Sequence, residues 1–200
     1  MSRRLVLASA SPARLALLRQ AGLAPEVVVS DLDESTVTAP RVGERVALLA
    51  AAKAAVVAAR QDDALVVGAD SLLEFRGEAM GKPADADDAR RRWRRMAGRS
   101  GVLHTGQALL DVRGGAVTAR DVVVTSTVVH FASPTDDEIE AYLASGEPLA
   151  VAGAFTLDGL GAPFVRRVEG DPASVVGLSL AALREQLHRR GLAITDLWRR

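Results

Sequence analysis

Ala64–Phe75 reads ALVVGADSLLEF, and the rest of the chain is organised around this stretch. Leu65, Val66 and Val67 make a short apolar run rich in β-branched residues, the pattern of a buried strand. Gly68 and Ala69 then remove side-chain bulk, and Asp70 arrives where such a strand is expected to end. A carboxylate there stands at the mouth of a sheet, where α/β proteins usually bind ligands. The same residue also reads as an Asp that caps the following turn. This stretch alone leaves both readings open.

Upstream, Leu5, Val6 and Leu7 form a similar short strand that runs into Ser9-Ala10-Ser11-Pro12. A helix is expected from there to about Ala21. Ser11 serves as N-cap, Pro12 suits the first helical position, Leu15, Leu17 and Leu18 form the apolar face, and Gly22 is the stop. A strand, a Ser-rich turn and a helix start aim free backbone N–H groups and a positive dipole end at one point, which favours phosphate. Arg14 in the first turn adds a fork suited to phosphate oxygens. Read without a ligand, the same residues are an ordinary capped helix with a solvated arginine.

A second strand is expected at Val27–Val29, followed by the acidic turn Asp31-Leu32-Asp33-Glu34, whose carboxylates suit Mg²⁺ or Mn²⁺. A long helix spans about Gly43 to Arg60, with Val46, Leu49, Val56 and Val57 as its stripe and alanines that permit close packing. Lys53 interrupts it. All but two of the 25 basic residues are arginine, and the two exceptions are Lys53 and Lys82. Either a compact, mobile ammonium is needed at those two points or chance left the lysines there. Lys53 itself reads either as a snorkelling surface lysine or as a cation aimed into a cleft.

Beyond Asp70 the chain continues to Phe75, turns at Arg76-Gly77 and returns through Met80 to Gly81-Lys82-Pro83, a hairpin with a lysine at its exit. Asp87 to Ala97 is an arginine-heavy helix with Trp93 and Met96 inward. Its arginines read as one solvated face offset by Asp85, Asp87 and Asp88 rather than as a nucleic-acid surface. Strands at Leu103–Asp111 and Ala116–Phe131 flank the turn Arg113-Gly114-Gly115. Thr135 and Glu138 form a capping box for a helix to about Ser145. A glycine-rich stretch, 152–161, leads to a strand at Phe164–Val168, and a final helix runs from near Ser179 to Gly191. Strands alternating with helices, plus hairpins, make a mixed α/β sheet.

The totals narrow the function. With 200 residues and 48% hydrophobic content the chain is long enough for a real core. Basic and acidic residues balance at 25 each, so no global field draws it to nucleic acid or membrane. There is no cysteine, which removes disulfides, thiolate metal sites and a cysteine nucleophile. The start, MSRRLVLASASPA, imitates a signal peptide, but Ser9 and Ser11 interrupt an apolar core already too short. No run reaches the roughly 18 apolar residues of a bilayer span. A soluble, cytoplasmic protein is expected.

Taken in order, LASASPAR, AAAKA around Lys53, VVGADS, GKP, HTG, YLASGEPLAVAGAF, LDGLG and VVGLSL resemble the motif set of the Maf family, from Leu5 to the last helix. The resemblance implies one domain over 1–200. Its fold would be similar to that of inosine-triphosphate pyrophosphatases: a mixed twisted sheet, flanking helices and two lobes around a cleft, commonly as a homodimer. It also implies a nucleoside triphosphate pyrophosphatase, in a family first associated with inhibition of septum formation. Carried over by position, Ser9, Arg14, Lys53 and Lys82 match the phosphate-holding residues. Glu34 and Asp70 match acidic positions linked to a divalent metal and to catalysis, with Asp70 as proton acceptor; Ser11, in the same Ser-rich turn, joins the substrate-binding set.

Three departures bear on the base: Ala13 stands where many members have an arginine, Ser71 replaces the threonine of GADT, and Asp158 stands where many carry a glutamine. Ser71 and Asp158 are therefore expected at the base-recognition site. The acidic residue resembles the branch that prefers 7-methyl-GTP over the pyrimidine type (dTTP, UTP).

Three other classes compete. A dinucleotide-binding oxidoreductase lacks the G-x-G-x-x-G opening. A serine hydrolase on Ser9 or Ser11 lacks the nucleophile elbow and has only His104, His130 and His188 as bases. A nucleotide-binding regulator of division would need no positioned base.

Overall fold

The computed structural model describes residues 3–199. Its strands are β1 (Leu5–Leu7), β2 (Glu26–Val27), β3 (Ala64–Phe75), β4 (Glu78–Met80), β5 (Ser100–Arg113), β6 (Ala116–Phe131) and β7 (Val165–Glu169). Its helices are α1 (Pro12–Gln20), α2 (Val42–Ala58), α3 (Ala86–Met96), α4 (Asp136–Ala144), α5 (Pro172–Val176) and α6 (Leu180–His188). The strands make one mixed sheet in the order β2-β1-β3-β5-β6-β7, with β4 paired to β3. The expected mixed α/β class is therefore the observed one. Met1 and Ser2, the first residues of the leader-like start, lie outside the described residues.

One expectation about the central stretch is overturned. β3 does not end at Asp70 but runs unbroken for 12 residues to Phe75. Besides β5, two different partners hold its two halves. Leu65, Val66 and Val67 pair parallel with Leu5, Val6 and Leu7, while Leu73, Glu74 and Phe75 pair antiparallel with Met80, Ala79 and Glu78. The connecting turn has φ of 53° at Arg76 and 78° at Gly77, the paired positive values of a two-residue hairpin whose twist matches its strands. A short apolar run shows where a strand is buried, not how far its ladder continues.

The chain divides into two compact units, Met1–Asp70 with Thr105–Thr125 and Gly177–Arg200, and Ser71–His104 with Ser126–Val176. In the first unit β1 pairs parallel with both β2 and β3. The strand expected at Val27–Val29 is the shorter Glu26–Val27, although the Val28 amide still donates to the Leu7 carbonyl at 3.1 Å. Both sheet faces are covered. Val6, Val66, Ala108 and Leu110 pack with Ala50, Ala54 and Val57 of α2, and Leu5, Leu7, Leu65, Val67 and Leu109 pack with Leu18, Leu183 and Leu187 of α1 and α6. Burial on both faces explains the unbroken hydrophobic runs of these strands.

The packing of α2 is set by two glycines. A Cβ on Gly68 of β3 would lie 2.4 Å from the Ala50 carbonyl oxygen and 2.8 Å from the Ala54 amide nitrogen. One on Gly106 of β5 would lie 2.2 Å from the Val46 carbonyl oxygen. The helix backbone thus rests directly on the sheet, closer than any side chain permits. On the other face a buried amide chain ties β5 to α6. Gln107 accepts from the Ser179 amide at 3.0 Å and donates to Gln186 at 2.9 Å, and Gln186 donates to the Asp121 carbonyl at 3.2 Å. Each amide is partnered, so its burial carries no desolvation penalty left unmet.

In the second unit Trp93 is fully buried at the centre of an aromatic cluster. It meets Phe131, Tyr142 and Phe164 edge-on at 5.8, 5.8 and 5.7 Å, and its indole N–H donates to the Ala154 carbonyl at 2.8 Å. Each such pair adds about 0.5–1.5 kcal/mol beyond area burial. The capping box of Thr135 and Glu138 forms as read. The arginine face of α3 is neutralised: Arg90 pairs with Asp87 and Glu140, Arg94 with Asp136, and Arg95 with Glu78. No helix among the described residues is long and apolar enough to cross a membrane. The short α5 and its cap Asp171 had no counterpart in the sequence reading, since five residues carry too little periodicity to register.

Candidate active site

In the first unit three charged side chains from three separate segments meet. α2 rests on Gly68 through Ala50 and Ala54, the residues that flank Lys53 by three positions and one. Asp70 leaves β3 on the same face as Gly68, because strand side chains repeat every two residues. The Lys53 ammonium therefore reaches the Asp70 carboxylate at 2.6 Å, and both side chains are only about one-tenth exposed. The third member, Glu34, opens a single turn of 3₁₀ helix, Glu34–Thr36, capped by Asp33. Its carboxylate lies 2.6 Å from the same ammonium and is half exposed. Lys53 is thus a buried cation shared by two carboxylates, not a snorkelling surface lysine.

Burial pushes the Asp70 carboxyl up from its ordinary value, and the Glu34 charge adds to that push. Lys53 and Arg14 pull it back without cancelling the effect of burial. A carboxylate displaced this way is a better proton acceptor near neutral pH than a solvated one. Arg14 in turn feels both Asp70 and Glu34, which oppose the lowering caused by its own burial.

The start of α1 supplies the second half of this arrangement. Ser11 is the N-cap, as read: its hydroxyl accepts from the Arg14 amide at 3.4 Å. The Ser9 hydroxyl, nearly buried, accepts from the Ser11 amide at 3.2 Å and from the Arg14 guanidinium at 3.1 Å. Arg14 is fixed from its other side by the Gly177 carbonyl, 2.7 Å from Nε. Parallel pairing of Leu7 with Val67, extended by the bond from the Ala8 amide to the Val67 carbonyl at 2.8 Å, puts Ser9 beside the stretch that leads to Asp70. Ser9, Arg14, Glu34, Lys53 and Asp70 thus form one polar group in the first unit.

The remaining candidates belong to the second unit. Ser71 follows Asp70 on β3 and points to the opposite face. Lys82 is exposed at the exit of the β3–β4 hairpin. The backbone on both sides of it is held by α3. The Gly81 carbonyl accepts from Arg92 at 2.6 Å and from the Gly153 amide at 3.1 Å, and the Ala84 amide donates at 3.1 Å to Asp88. Asp88 and Arg92 are themselves paired at 2.7 Å, one turn apart. Asp158 is exposed in the 156–161 loop, which folds over the Glu147 carboxylate. Sequence reading passed over both Arg92 and Glu147. Arg92 looked like one more solvated arginine, and Glu147 sat inside a quoted motif with nothing to mark what its side chain holds.

Two of the histidines weighed for a serine hydrolase are engaged elsewhere. His104 lies 2.8 Å from Ser126 and 3.1 Å from Glu74, and His130 lies 2.7 Å from Ser100 and 2.9 Å from Glu169. Among the described residues no three His, Asp or Glu side chains gather as a ready metal cage.

The family model described as Maf-like protein matches residues 4–190. A Streptomyces coelicolor protein named nucleoside triphosphate pyrophosphatase is 59% identical over 199 residues, covering 98% of this chain and 95% of its own. Proteins of the same name from Salinispora tropica and Nocardia farcinica are 57% and 53% identical. They cover 98% and 100% of this chain, and 88% and 98% of their own length.

Proposed function

Because the chain belongs to the Maf family, we propose that it is a nucleoside triphosphate pyrophosphatase that releases the monophosphate and pyrophosphate, with Asp70 as the proton acceptor. The observation that carries this reading is the buried Lys53 ammonium held at 2.6 Å by both Asp70 and Glu34. Attack of water on the α-phosphorus requires neutralisation of the triphosphate and an oriented water that loses its proton. The α1 start, the Ser9 hydroxyl, Arg14, Lys53 and Lys82 supply the first. Lys53 has three donors, and Asp70 and Glu34 engage two of them, which leaves one for a phosphate oxygen. Asp70, its carboxyl raised by burial, takes the proton.

A divalent ion fits the acidic pair. Two carboxylates from separate segments already converge on one cationic point, and a hard divalent cation in a phosphate site uses one or two protein carboxylates, with substrate and water completing the shell. Glu34 and Asp70 would hold Mg²⁺ or Mn²⁺, which supplies further charge neutralisation of the triphosphate. The proposal is for a cytoplasmic enzyme, acting as a homodimer, that uses neither nucleic acid nor membrane.

Base choice is assigned to Asp158. The pairing edge of uracil or thymine presents acceptor, donor, acceptor, and an ionised Asp is acceptor-only. Guanine presents two adjacent donors that a carboxylate accepts as a bidentate pair, and N7 methylation adds positive charge that strengthens it. The preferred substrate is therefore 7-methyl-GTP above GTP, with UTP and dTTP rejected by about 1–3 kcal/mol. Turnover across standard and modified triphosphates, with either metal, tests the whole reading. Asp70→Asn is expected to keep the fold and lower kcat by about 10²–10⁴. Activity within a few fold of wild type would remove Asp70 from the chemistry. If no triphosphate yields monophosphate and pyrophosphate, the chain is instead a nucleotide-binding regulator of septum formation. A wild-type preference for UTP or dTTP, or an unchanged ranking in Asp158→Gln, would sink the base assignment.

A further inference from the structure

Glu147 stands at the start of a 3₁₀ turn, Glu147–Ala150, immediately after Gly146. Its half-buried carboxylate gathers the donors of one loop. Oε2 accepts from the Leu160 amide at 3.0 Å, and Oε1 accepts from the Gly161 amide at 3.1 Å, from the Tyr142 hydroxyl at 3.3 Å and from the Thr156 hydroxyl. Thr156 Oγ1 also accepts from the Gly161 amide at 3.1 Å and lies 3.0 Å from the Tyr142 hydroxyl. The backbone closes so tightly over this carboxylate that a Cβ on Gly159 would fall 2.5 Å from Oε2. Gly161 is equally confined, its Cβ position being 2.4 Å from the Tyr142 hydroxyl.

Asp158 sits between these anchors. Both ends of the short span Thr156–Gly161 are tied to one side chain, and the single carboxylate within it is exposed. Without the anchor, two glycines in the sequence Asp158-Gly159-Leu160-Gly161 would leave the loop free to sample many conformers. Burial works against ionisation of Glu147, but the bonds from Thr156, the two amides and Tyr142 outweigh it and hold the carboxyl below its ordinary range. The anchor is therefore charged at neutral pH, when its hydrogen bonds are strongest.

We propose that Glu147 is a positioning residue for base selection, fixing the turn that presents Asp158 without itself touching the base. The inference rests on the reading of Asp158 as the base-contacting group. A bidentate pair needs orientation, so a loosened turn penalises the base that forms the pair and spares those that do not. Loss of the anchor therefore compresses selectivity instead of lowering all rates together.

The test compares kcat/KM for 7-methyl-GTP, GTP, UTP and dTTP in wild type, Glu147→Gln, Asp158→Gln and the double variant. Hydrogen exchange at the Leu160 and Gly161 amides and inhibition by pyrophosphate are followed alongside. In Glu147→Gln the amides are expected to exchange faster. The spread between best and worst base is expected to shrink about tenfold, as preorganisation of the contact is lost, with pyrophosphate inhibition unchanged. The spread in the double variant is expected to match Asp158→Gln alone. Thr156→Val, which removes one anchor bond and leaves the carboxylate, is expected to move the spread the same way and serves if Glu147→Gln folds poorly. Equal losses on all four substrates, or an unchanged spread, would overturn the role of Glu147. If Asp158→Gln itself leaves the ranking unchanged, the reading of Asp158 has failed and the inference falls with it. If Asp158→Gln shifts the ranking while Glu147→Gln and Thr156→Val do not, only the inference is wrong.

Discussion

Gly68→Ala is the substitution that tests how the site is built. Gly68 is not in the left-handed region, so alanine meets no backbone strain there. The problem is space. The new methyl would lie 2.4 Å from the Ala50 carbonyl oxygen, 2.8 Å from the Ala54 amide nitrogen and 2.9 Å from the Ala54 Cβ. Two of these are helix backbone atoms, which cannot swing aside as a long side chain does. Relief requires α2 and β3 to separate by roughly 1 Å, the gap to ordinary carbon–oxygen contact at about 3.3–3.6 Å. Overpacking of this kind costs about 1–3 kcal/mol, which for a chain of this size lowers Tm by roughly 2–12 °C. The same displacement moves Lys53, between Ala50 and Ala54, away from Asp70 and Glu34. A 1 Å misplacement of a catalytic group costs about 10² in rate. Thermal unfolding and kcat/KM on the best triphosphate of the panel are measured on one preparation at a temperature where the variant stays folded. The expected result is a lower Tm together with a loss near 10² in kcat/KM. A variant with wild-type Tm and wild-type kcat/KM would refute the claim that close packing at Gly68 positions Lys53. Lower stability with full activity would mean that α2 yields without moving the lysine.

Three other contacts give further expected outcomes. Lys53→Met leaves the buried Asp70 facing Glu34 without its counter-charge, so both Tm and kcat/KM fall; adding Asp70→Asn restores Tm but not activity, since removing both members of a buried pair is far cheaper than removing one. Failure of the second substitution to raise Tm would show that the pair is not electrostatically coupled. Arg92→Met removes one of the two donors to the Gly81 carbonyl beside Lys82 and is expected to raise KM for triphosphates severalfold more than it lowers kcat; unchanged KM would show that the hairpin exit holds its shape without Arg92. The Glu147 carboxyl is held below its unfolded value, so its stabilisation is present above the unfolded pKa and lost as pH falls through the folded one. The Tm difference between wild type and Glu147→Gln is therefore greatest near neutral pH and narrows in acid, and a difference independent of pH would show that its charge is not what anchors the loop.

The sequence by itself determined the elements whose causes are local. Ser11 before Pro12 made a capped helix start because a side-chain oxygen and a fixed φ act within one turn. Thr135 with Glu138 did the same for α4. Arg76-Gly77 made a hairpin. The scarcity of lysine drew attention to Lys53, and the ordered motifs indicated the family before any contact was known. What the sequence could not determine was set by atoms distant along the chain. β3 runs through Asp70 because the strand that pairs with β1 and the hairpin arm that pairs with β4 are one continuous ladder, which neither the apolar run Leu65–Val67 nor the turn at Arg76-Gly77 encodes by itself. Lys53 is buried because two glycines, 15 and 53 residues further on, let α2 press backbone to backbone on the sheet, a steric fact that appears only when Gly68 and Gly106 are seen beneath the helix. Arg92 looked like an ordinary surface charge and Glu147 like one more residue of a motif, since a side chain's type does not reveal which loop amides and carbonyls it will hold. Propensity, capping and turns are short-range interactions written in neighbouring residues, whereas burial and hydrogen-bond partners are fixed only when the chain closes on itself.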